Sequence, residues 1–222
     1  MPKKVLANLR GRPLLDWVFE AAMECDQFDH VTFAIDSEET AAVLEKIGAS
    51  YVMTSEDCPS GTKRLIECAL STDIESDIWV NWQADEPFIQ SAMIDELLQS
   101  DDGDIWTLKR EITDLEELDN PNVVKVVTDR FNHALYFSRS AIPHVRQVSG
   151  SPFYKHVGLY AFSQNAIDKI ATHPVSDLEV SEGLEQLTFL YEGLKISVHE
   201  TQFDTVGIDT HDDLILAMGK IG

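Results

Sequence analysis

One stretch of the chain decides the fold class: residues 30–53, HVTFAIDSEETAAVLEKIGASYVM. Its first six residues are mostly apolar or β-branched and predict a buried strand. Ser37 can cap a helix that continues to Gly48, and a glycine suits a helix C-terminus. Residues 51–53 predict a second, short strand. A strand, a helix and a strand in this order are typical of a parallel sheet that is covered by helices.

The same alternation extends through the first hundred residues. Apolar patterning predicts helices over 13–22, 62–70 and 92–98 and a strand over 77–82. In open sheets of this kind, ligands bind at the carboxyl ends of the strands. The loops after residues 35, 53 and 82 are therefore where we expect a site.

The second half of the chain has strand-like segments with few helices between them. Strands are expected over 105–108, 123–127, 134–137 and 158–162, with a turn at 131–133. A long helix over 178–191, a strand over 195–198 and a last helix from residue 212 follow. We predict one domain, residues 1–222, with an α/β fold: a mostly parallel, Rossmann-like sheet covered by helices, with a mixed or antiparallel extension.

The composition limits the partners. The 222 residues include 39 Asp and Glu but only 17 Lys and Arg, a net charge of −22. Such a charge repels phosphate backbones and anionic lipid, so we expect no nucleic-acid or membrane partner. Three cysteines without CxxC spacing indicate free thiols in a reducing compartment. No apolar run of about 18 residues and no signal-peptide pattern occur, so we predict a cytoplasmic location.

Two carboxylates follow the strand predicted over 77–82, in the segment QADEP at 83–87. Carboxylates at the end of a strand can hold Mg²⁺, which prefers oxygen ligands and often bridges substrate phosphates. A solvated turn that caps the next helix explains the same residues. The residues alone leave both interpretations open.

Asp209 is a second candidate for such a site, within GIDTHDDL at 207–214. Asp209 can be a ligand of the same metal ion only if folding brings it near Asp85. The ordinary interpretation of this segment is a helix start, with Thr210 or Asp212 as the N-cap.

Two further segments carry signals for binding. SGTKR at 60–64 enters a helix, where backbone N–H groups and basic side chains can receive an anion or a base edge, or merely cap the helix. Glu182, Glu185 and Gln186 share one face of the predicted helix and can bind sugar hydroxyls, although such a face is usually only solvated. His156 by itself is more typical of a structural histidine.

These segments together resemble the 3-deoxy-manno-octulosonate (Kdo) cytidylyltransferases, or CMP-Kdo synthetases. The resemblance extends over nearly the whole chain, through GRPL at 11–14, AID at 34–36, MTS at 53–55, SGTKR at 60–64, QADEP at 83–87, NPNVVKVV at 120–127, ALYFSRSAIP at 134–143, HVGLYAF at 156–162 and LEQL at 184–187. It implies a nucleotidyltransferase that converts CTP and Kdo into CMP-Kdo and pyrophosphate with Mg²⁺, for lipopolysaccharide core synthesis. It also implies a homodimer.

The resemblance assigns roles to individual positions. Asp85 and Asp209 match the metal-binding aspartates, and with Lys4, which matches a phosphate-contacting lysine, they are the implied catalytic residues. The nucleotide-binding positions are Lys4, Asp36, Ser60, Gly61, Thr62 and Arg64. The sugar-binding positions are Gln83, Arg139, His156, Tyr160, Glu185 and Gln186. Arg139 can pair with the carboxylate of the sugar acid.

The implied division of the chain has three parts: CTP binding over about 1–110, sugar binding and dimerisation over about 111–205, and a metal-ligand loop and helix over 206–222. Three positions depart from the family pattern, namely Lys63, Ala84 and Thr188. The family's first strand and most of its phosphate loop have no counterpart before Met1. We expect the true start to lie upstream; the alternative is an inactive relative that only binds ligand. Transfer to another acidic sugar, 8-amino-Kdo or sialic acid, is a further alternative.

Overall fold

The computed structural model describes residues 4–147, 150–205, 207–208 and 210–220. Strands and helices alternate through its first hundred residues, as expected. A 3₁₀ turn at Lys4–Leu6 comes first. The elements after it are β1 (Asn8–Leu9), β2 (Arg12–Pro13), α1 (Leu14–Met23), β3 (Thr32–Ile35), α2 (Glu38–Ile47), β4 (Ser50–Met53), α3 (Gly61–Ser71), β5 (Ile78–Asn81) and α4 (Ser91–Leu97).

The remaining elements are richer in strands. They are β6 (Ile105–Glu111), α5 (Leu115–Asp119), β7 (Lys125–Thr128), β8 (Ala134–Ser138), β9 (Tyr154–Ser163), α6 (Gln164–Thr172), α7 (Asp177–Glu182), α8 (Gln186–Tyr191), β10 (Ile196–Glu200) and α9 (His211–Lys220). The described residues form two compact units, drawn from Met1–Glu75, Asn81–Asp95 and Thr205–Gly222 for the first and from Ser76–Val80 and Glu96–Asp204 for the second. The single domain over 1–222 and its three parts stay a prediction.

The first unit contains the strand–helix–strand segment that the sequence predicts. β3 and β4 pair in parallel, with Thr32 opposite Ser50 and Ile35 opposite Met53. Between them, α2 ends at Gly48, whose φ of 72° is the left-handed conformation that glycine adopts without strain. The buried apolar residues of these elements and of α1 form a continuous core: Leu15, Val18, Phe33, Ile35, Ala41, Leu44 and Ala49. This core fixes the strand ends from which the site residues project.

The second unit is built on a sheet of mixed strand orientation. Five strands are ordered β10-β6-β9-β7-β8, and β5 pairs with β9 off this path. β10 and β6 are parallel, whereas β6 with β9 and β7 with β8 are antiparallel. The turn between β7 and β8 places Asn132 at a φ of 64°, consistent with the turn predicted there. The predicted α/β class with a mixed extension is confirmed.

The prediction of a single long helix over 178–191 is wrong. Gly183 has a φ of 63° and ends α7, and α8 begins only at Gln186. A left-handed residue cannot continue a right-handed helix, although the apolar pattern runs on across it. Glu182, Glu185 and Gln186 therefore do not share one helical face. Helix α6, which the sequence did not predict, is capped by the Ser163 side chain, which accepts from the Ala166 N–H.

The helices in the described ranges are all too short or too polar to cross a membrane. Cys25 and Cys68 are buried and Cys58 is half-buried, and all three are free thiols.

Candidate active site

An ion pair joins two of the predicted catalytic residues in the first unit. The Lys4 Nζ atom donates to Asp85 Oδ2 at 2.5 Å, although 81 positions separate them in the sequence. Asp85 is buried at 8% exposure, whereas a third of the Lys4 side chain remains accessible. Asp85 lies just beyond β5, at the kind of strand end where ligands bind in α/β sheets.

The segment that precedes Asp209 also reaches Asp85. The backbone N–H of Ile208 donates to the carbonyl oxygen of Asp85 at 2.9 Å, and Ile208 is fully buried. Asp209 itself lies outside the described residues, so its predicted role as a metal ligand stays a prediction. The helix start predicted after it is confirmed, because Thr210 Oγ1 accepts from the Asp213 N–H at 3.1 Å.

The start of α3 brings together the predicted nucleotide-binding triplet. Ser60 is the N-cap, and its hydroxyl accepts from the backbone N–H of Lys63 at 3.2 Å. A Cβ atom built on Gly61 would stand 3.7 Å from the Asn81 amide nitrogen and 3.9 Å from that of Gln83. Thr62 is buried. Gln83, predicted to bind the sugar, thus lies beside the nucleotide-binding glycine, and Asn81 is a neighbour that the sequence did not single out.

Arg64 ties the two parallel strands of the first unit together at their carboxyl ends. Its guanidinium pairs with the Asp36 carboxylate at 2.6 Å and donates to the Thr54 hydroxyl at 2.6 Å. Thr54 in turn donates from its backbone and its hydroxyl to the carbonyl oxygen of Ile35. Two of the predicted nucleotide-binding residues, Asp36 and Arg64, are therefore in direct contact.

In the second unit, the guanidinium of Arg139 holds a set of backbone carbonyls. Its Nε donates to Glu182 O at 2.7 Å, one Nη to Pro121 O at 3.1 Å and the other to Gly183 O at 3.2 Å. The Glu182 carboxylate instead accepts from the Arg139 backbone N–H and from Ser138. Of the five N–H donors of the guanidinium, two have no partner within the described part of the chain. These two N–H groups have the chemistry to donate to an anion.

His156 and Tyr160, two of the predicted sugar-binding residues, are neighbours on β9. Their rings are 5.2 Å apart, and the His156 ring also meets Phe137 edge-on at 5.2 Å. Burial lowers the pKa of His156 to about 4 and raises the pKa of Tyr160 far above its usual value, with the Glu185 charge adding to the shift at Tyr160. Both side chains are therefore neutral at pH 7. The Tyr160 hydroxyl is buried and lies near the Thr107 side chain.

Glu185 and Gln186 lie at the start of α8, close behind Gly183. Gln186 is buried, whereas Glu185 is half-buried. Two residues further along the helix, the Thr188 hydroxyl bonds Ser176 and Glu179, so the position that departs from the family pattern joins α8 to the start of α7.

Lys125 is a buried cation that the sequence did not single out beyond its place in the NPNVVKVV segment. Its side chain is completely buried, and Nζ donates to the carbonyl oxygens of Asn120, Val123 and Arg139 at 2.7–2.9 Å. Burial lowers the pKa of this ammonium group. All three N–H donors are used, so Lys125 fixes the backbone of Arg139 and the loop before β7.

The donor set around Asp85 fits a hard cation only in part. Within the described ranges, no group of three or more His, Cys, Asp or Glu residues could hold a metal. Mg²⁺ is nevertheless commonly held by one or two carboxylates together with substrate phosphates. Asp85 supplies one carboxylate of that type, which is compatible with such a site.

Comparison with known proteins identifies the family. Residues 1–196 match the family described as Cytidylyltransferase. The chain belongs to the cytidylyltransferase family. It is 43% identical to the 3-deoxy-manno-octulosonate cytidylyltransferase of Chlorobium luteolum, over 97% of this chain and 90% of that protein. It is 41% identical to the enzyme of the same name from Trichlorobacter lovleyi, over 96% and 90%.

Two solved structures have the same fold. A CMP:2-keto-3-deoxy-manno-octonic acid synthetase in complex with CTP superimposes with a TM-score of 0.92 at 33% identity, over 99% of this chain and 91% of that one. A 4-diphosphocytidyl-2C-methyl-D-erythritol synthase from Anaerococcus prevotii gives a TM-score of 0.64 at 14% identity, over 97% and 91%, and shares the fold alone. The chain is thus a nucleotidyltransferase by family, as predicted.

Proposed function

We propose that this protein transfers CMP from CTP to 3-deoxy-manno-octulosonate and releases pyrophosphate. The observation that carries the proposal is an identity of about 40% to enzymes of this name over almost their whole length. The same substrate pair is named for the solved structure that superimposes at a TM-score of 0.92. In the reaction, a hydroxyl oxygen of Kdo forms a bond to the α-phosphorus of CTP and loses its proton. The bond between the α-phosphorus and the oxygen that bridges to the β-phosphorus breaks, and pyrophosphate leaves.

The first unit provides groups suited to the nucleotide. The Lys4 ammonium pairs with Asp85, and a third of the Lys4 side chain is accessible, so it can donate to phosphate oxygens. The amides of Asn81 and Gln83, beside the open backbone of Gly61, can meet the polar edge of a cytosine. Positioning and charge neutralisation of this kind supply most of the acceleration in phosphoryl and nucleotidyl transfer.

The second unit provides groups suited to a sugar acid. The two remaining N–H groups of Arg139 can donate to a carboxylate. The neutral His156 and Tyr160 can form hydrogen bonds to sugar hydroxyls. Glu185 and Gln186 extend the polar set at the start of α8. These roles rest on the resemblance and on this chemistry together.

Mg²⁺ is the proposed cofactor, with Asp85 and Asp209 as its protein ligands. When bound, it would neutralise phosphate charge and orient the reacting oxygens. The buried Asp85 carboxylate and the Ile208 bond that leads into Asp209 support this assignment. Activity is expected to disappear with EDTA and to return with added Mg²⁺.

Pyrophosphate release measured with CTP and a panel of acidic sugars tests the proposal. Turnover is expected with Kdo, and turnover only with sialic acid or with 8-amino-Kdo would overturn the assignment of the substrate. Binding of CTP by calorimetry without any turnover would favour the alternative of a relative that only binds ligand. The assay should use both the chain of 222 residues and a form extended upstream, because the expectation of an upstream start can then be tested.

A homodimer and a cytoplasmic role in lipopolysaccharide synthesis complete the proposal. The resemblance to the Kdo cytidylyltransferases supports the homodimer. Sedimentation velocity is expected to give twice the mass of the 24.9 kDa chain. The free thiols support a reducing compartment.

A further inference from the structure

A β-bulge in the second unit leaves carbonyl groups in need of a donor. β6 and β9 pair so that Thr107 lies opposite Tyr160, but the next residue, Leu108, lies opposite Val157. Such a register shift interrupts the ladder of backbone hydrogen bonds. The Thr107 hydroxyl fills the gap, since its Oγ1 is 3.1 Å from the carbonyl oxygen of Val157 and 2.9 Å from that of Leu159.

The proton of this hydroxyl is committed to the two carbonyls. A carbonyl oxygen only accepts hydrogen bonds, and threonine has one O–H proton, so a shared bond to both oxygens is the favourable arrangement. The reverse arrangement would set the lone pairs of Oγ1 against two acceptors. Thr107 is fully buried, so water does not replace either partner.

His156 is a further group around the Thr107 hydroxyl, which also adjoins the Tyr160 hydroxyl. Its Nε2 atom is 3.0 Å from Oγ1. Because the hydroxyl proton points to the carbonyls, Oγ1 can only accept here, and Nε2 must carry the proton. The imidazole is neutral at pH 7 because burial lowers the pKa of His156 to about 4. A neutral imidazole that is protonated on Nε2 has an unprotonated Nδ1.

We propose that Thr107 is a positioning residue: it fixes His156 as the Nε2–H tautomer and thereby presents Nδ1 as an acceptor to a hydroxyl group of the sugar acid. The inference rests on the proposed role of His156 in sugar binding. Within the described part of the chain, no group donates a hydrogen bond to Nδ1. A bare nitrogen lone pair attracts hydroxyl donors and repels carboxylate oxygens. The Nε2–H tautomer therefore also favours a bound orientation in which a hydroxyl group of the sugar acid, and not its carboxylate, faces His156.

The tautomer can be observed directly. Long-range ¹H–¹⁵N correlation spectra of the ¹⁵N-labelled protein distinguish the two neutral forms of histidine, and His156→Gln identifies the signal among the seven histidines. The wild type and Thr107→Ser are expected to show the Nε2–H form. Thr107→Val, which keeps the shape but lacks the acceptor, should show a mixture or the Nδ1–H form. An Nδ1–H form in the wild type would overturn the inference, even if Thr107→Val failed to fold.

Kinetics separate the inference from the proposed function. Thr107→Val should raise the KM for Kdo about tenfold, which corresponds to one hydrogen bond, and leave the KM for CTP within about twofold. Thr107→Ser should behave as the wild type. If His156→Gln raises the KM for Kdo and Thr107→Val does not, the positioning role is wrong. If neither variant changes that KM, the assignment of His156 to the sugar fails and the positioning role fails with it.

Discussion

The two units of the chain differ in how they hold some of their candidate residues. In the first unit, Lys4 forms an ion pair with Asp85, and Arg64 forms one with Asp36. In the second unit, His156 is held neutral by burial and is oriented by a buried hydroxyl. An ion pair can exchange one partner for a phosphate or a cation. A neutral hydrogen-bonding group instead fixes the orientation of the ligand group that it binds. The first arrangement suits a triphosphate, and the second suits the hydroxyls of a sugar.

Asp85→Asn tests the charged side of this comparison and should have the largest effect. We expect kcat to fall about 10³-fold, because the residue would no longer offer a charge to Lys4 or to a cation, and preorganised charges of this kind contribute that much. Pyrophosphate release measures the rate, and circular dichroism checks the fold. Asp29→Asn, at an exposed position in the same unit, is the matched control. Turnover within threefold of the wild type would remove Asp85 from the mechanism.

Lys125→Met tests whether the stability of the second unit depends on the buried ammonium group of Lys125. Loss of Nζ would leave three buried carbonyl oxygens without their donor, and we expect the free energy of unfolding to fall by about 3 kcal/mol. Urea denaturation measures it. Lys169→Met, at an exposed position, should change stability by less than about 0.5 kcal/mol. Equal stabilities of the two variants would contradict the structural role of Lys125.

The neutral state of His156 predicts a dependence of stability on pH. The pKa of His156 is about 4 in the folded chain, below the value of 6.5 for the unfolded chain, so the unfolded chain binds a proton first as the pH falls. The wild type should lose about 2 kcal/mol more stability than His156→Gln between pH 7 and pH 4. Urea denaturation at several pH values gives the difference. Parallel curves for the two proteins would show that His156 titrates normally.

Arg139→Lys should have the smallest effect. Lysine keeps the charge but not the planar set of donors that holds three carbonyls and leaves two N–H groups for an anion. We expect the KM for Kdo to rise about tenfold while the KM for CTP is unchanged. Arg130→Lys serves as the control, since Arg130 contacts the Phe131 ring and none of the predicted sugar-binding residues. A larger change in the KM for CTP than in that for Kdo would argue against the assignment to the sugar.

Local signals decided which parts of the fold were predictable. The strand, helix and strand over 30–53 follow from periodicity and from Gly48, which act within a few residues. The break at Gly183 was missed because the apolar pattern continues through it and only the backbone conformation reveals it. Sequence matching located Lys4 and Asp85 singly, but their contact across 81 positions depends on the tertiary fold. Thr107 was missed because its role depends on a register shift between two strands.

Chemical labelling of Lys125 can report transient local unfolding in the second unit. Amine-reactive reagents modify lysines from solvent, and the Lys125 ammonium is fully enclosed with its three protons bound to carbonyl oxygens. It can react only in molecules whose surrounding segment has opened. Mass spectrometry can follow the labelling of Lys125 and compare it with that of the exposed Lys169, which serves as the internal reference. The ratio of the two rates would report how often the segment opens. The rate of labelling at Lys125 would therefore measure how often the segment around Arg139 opens.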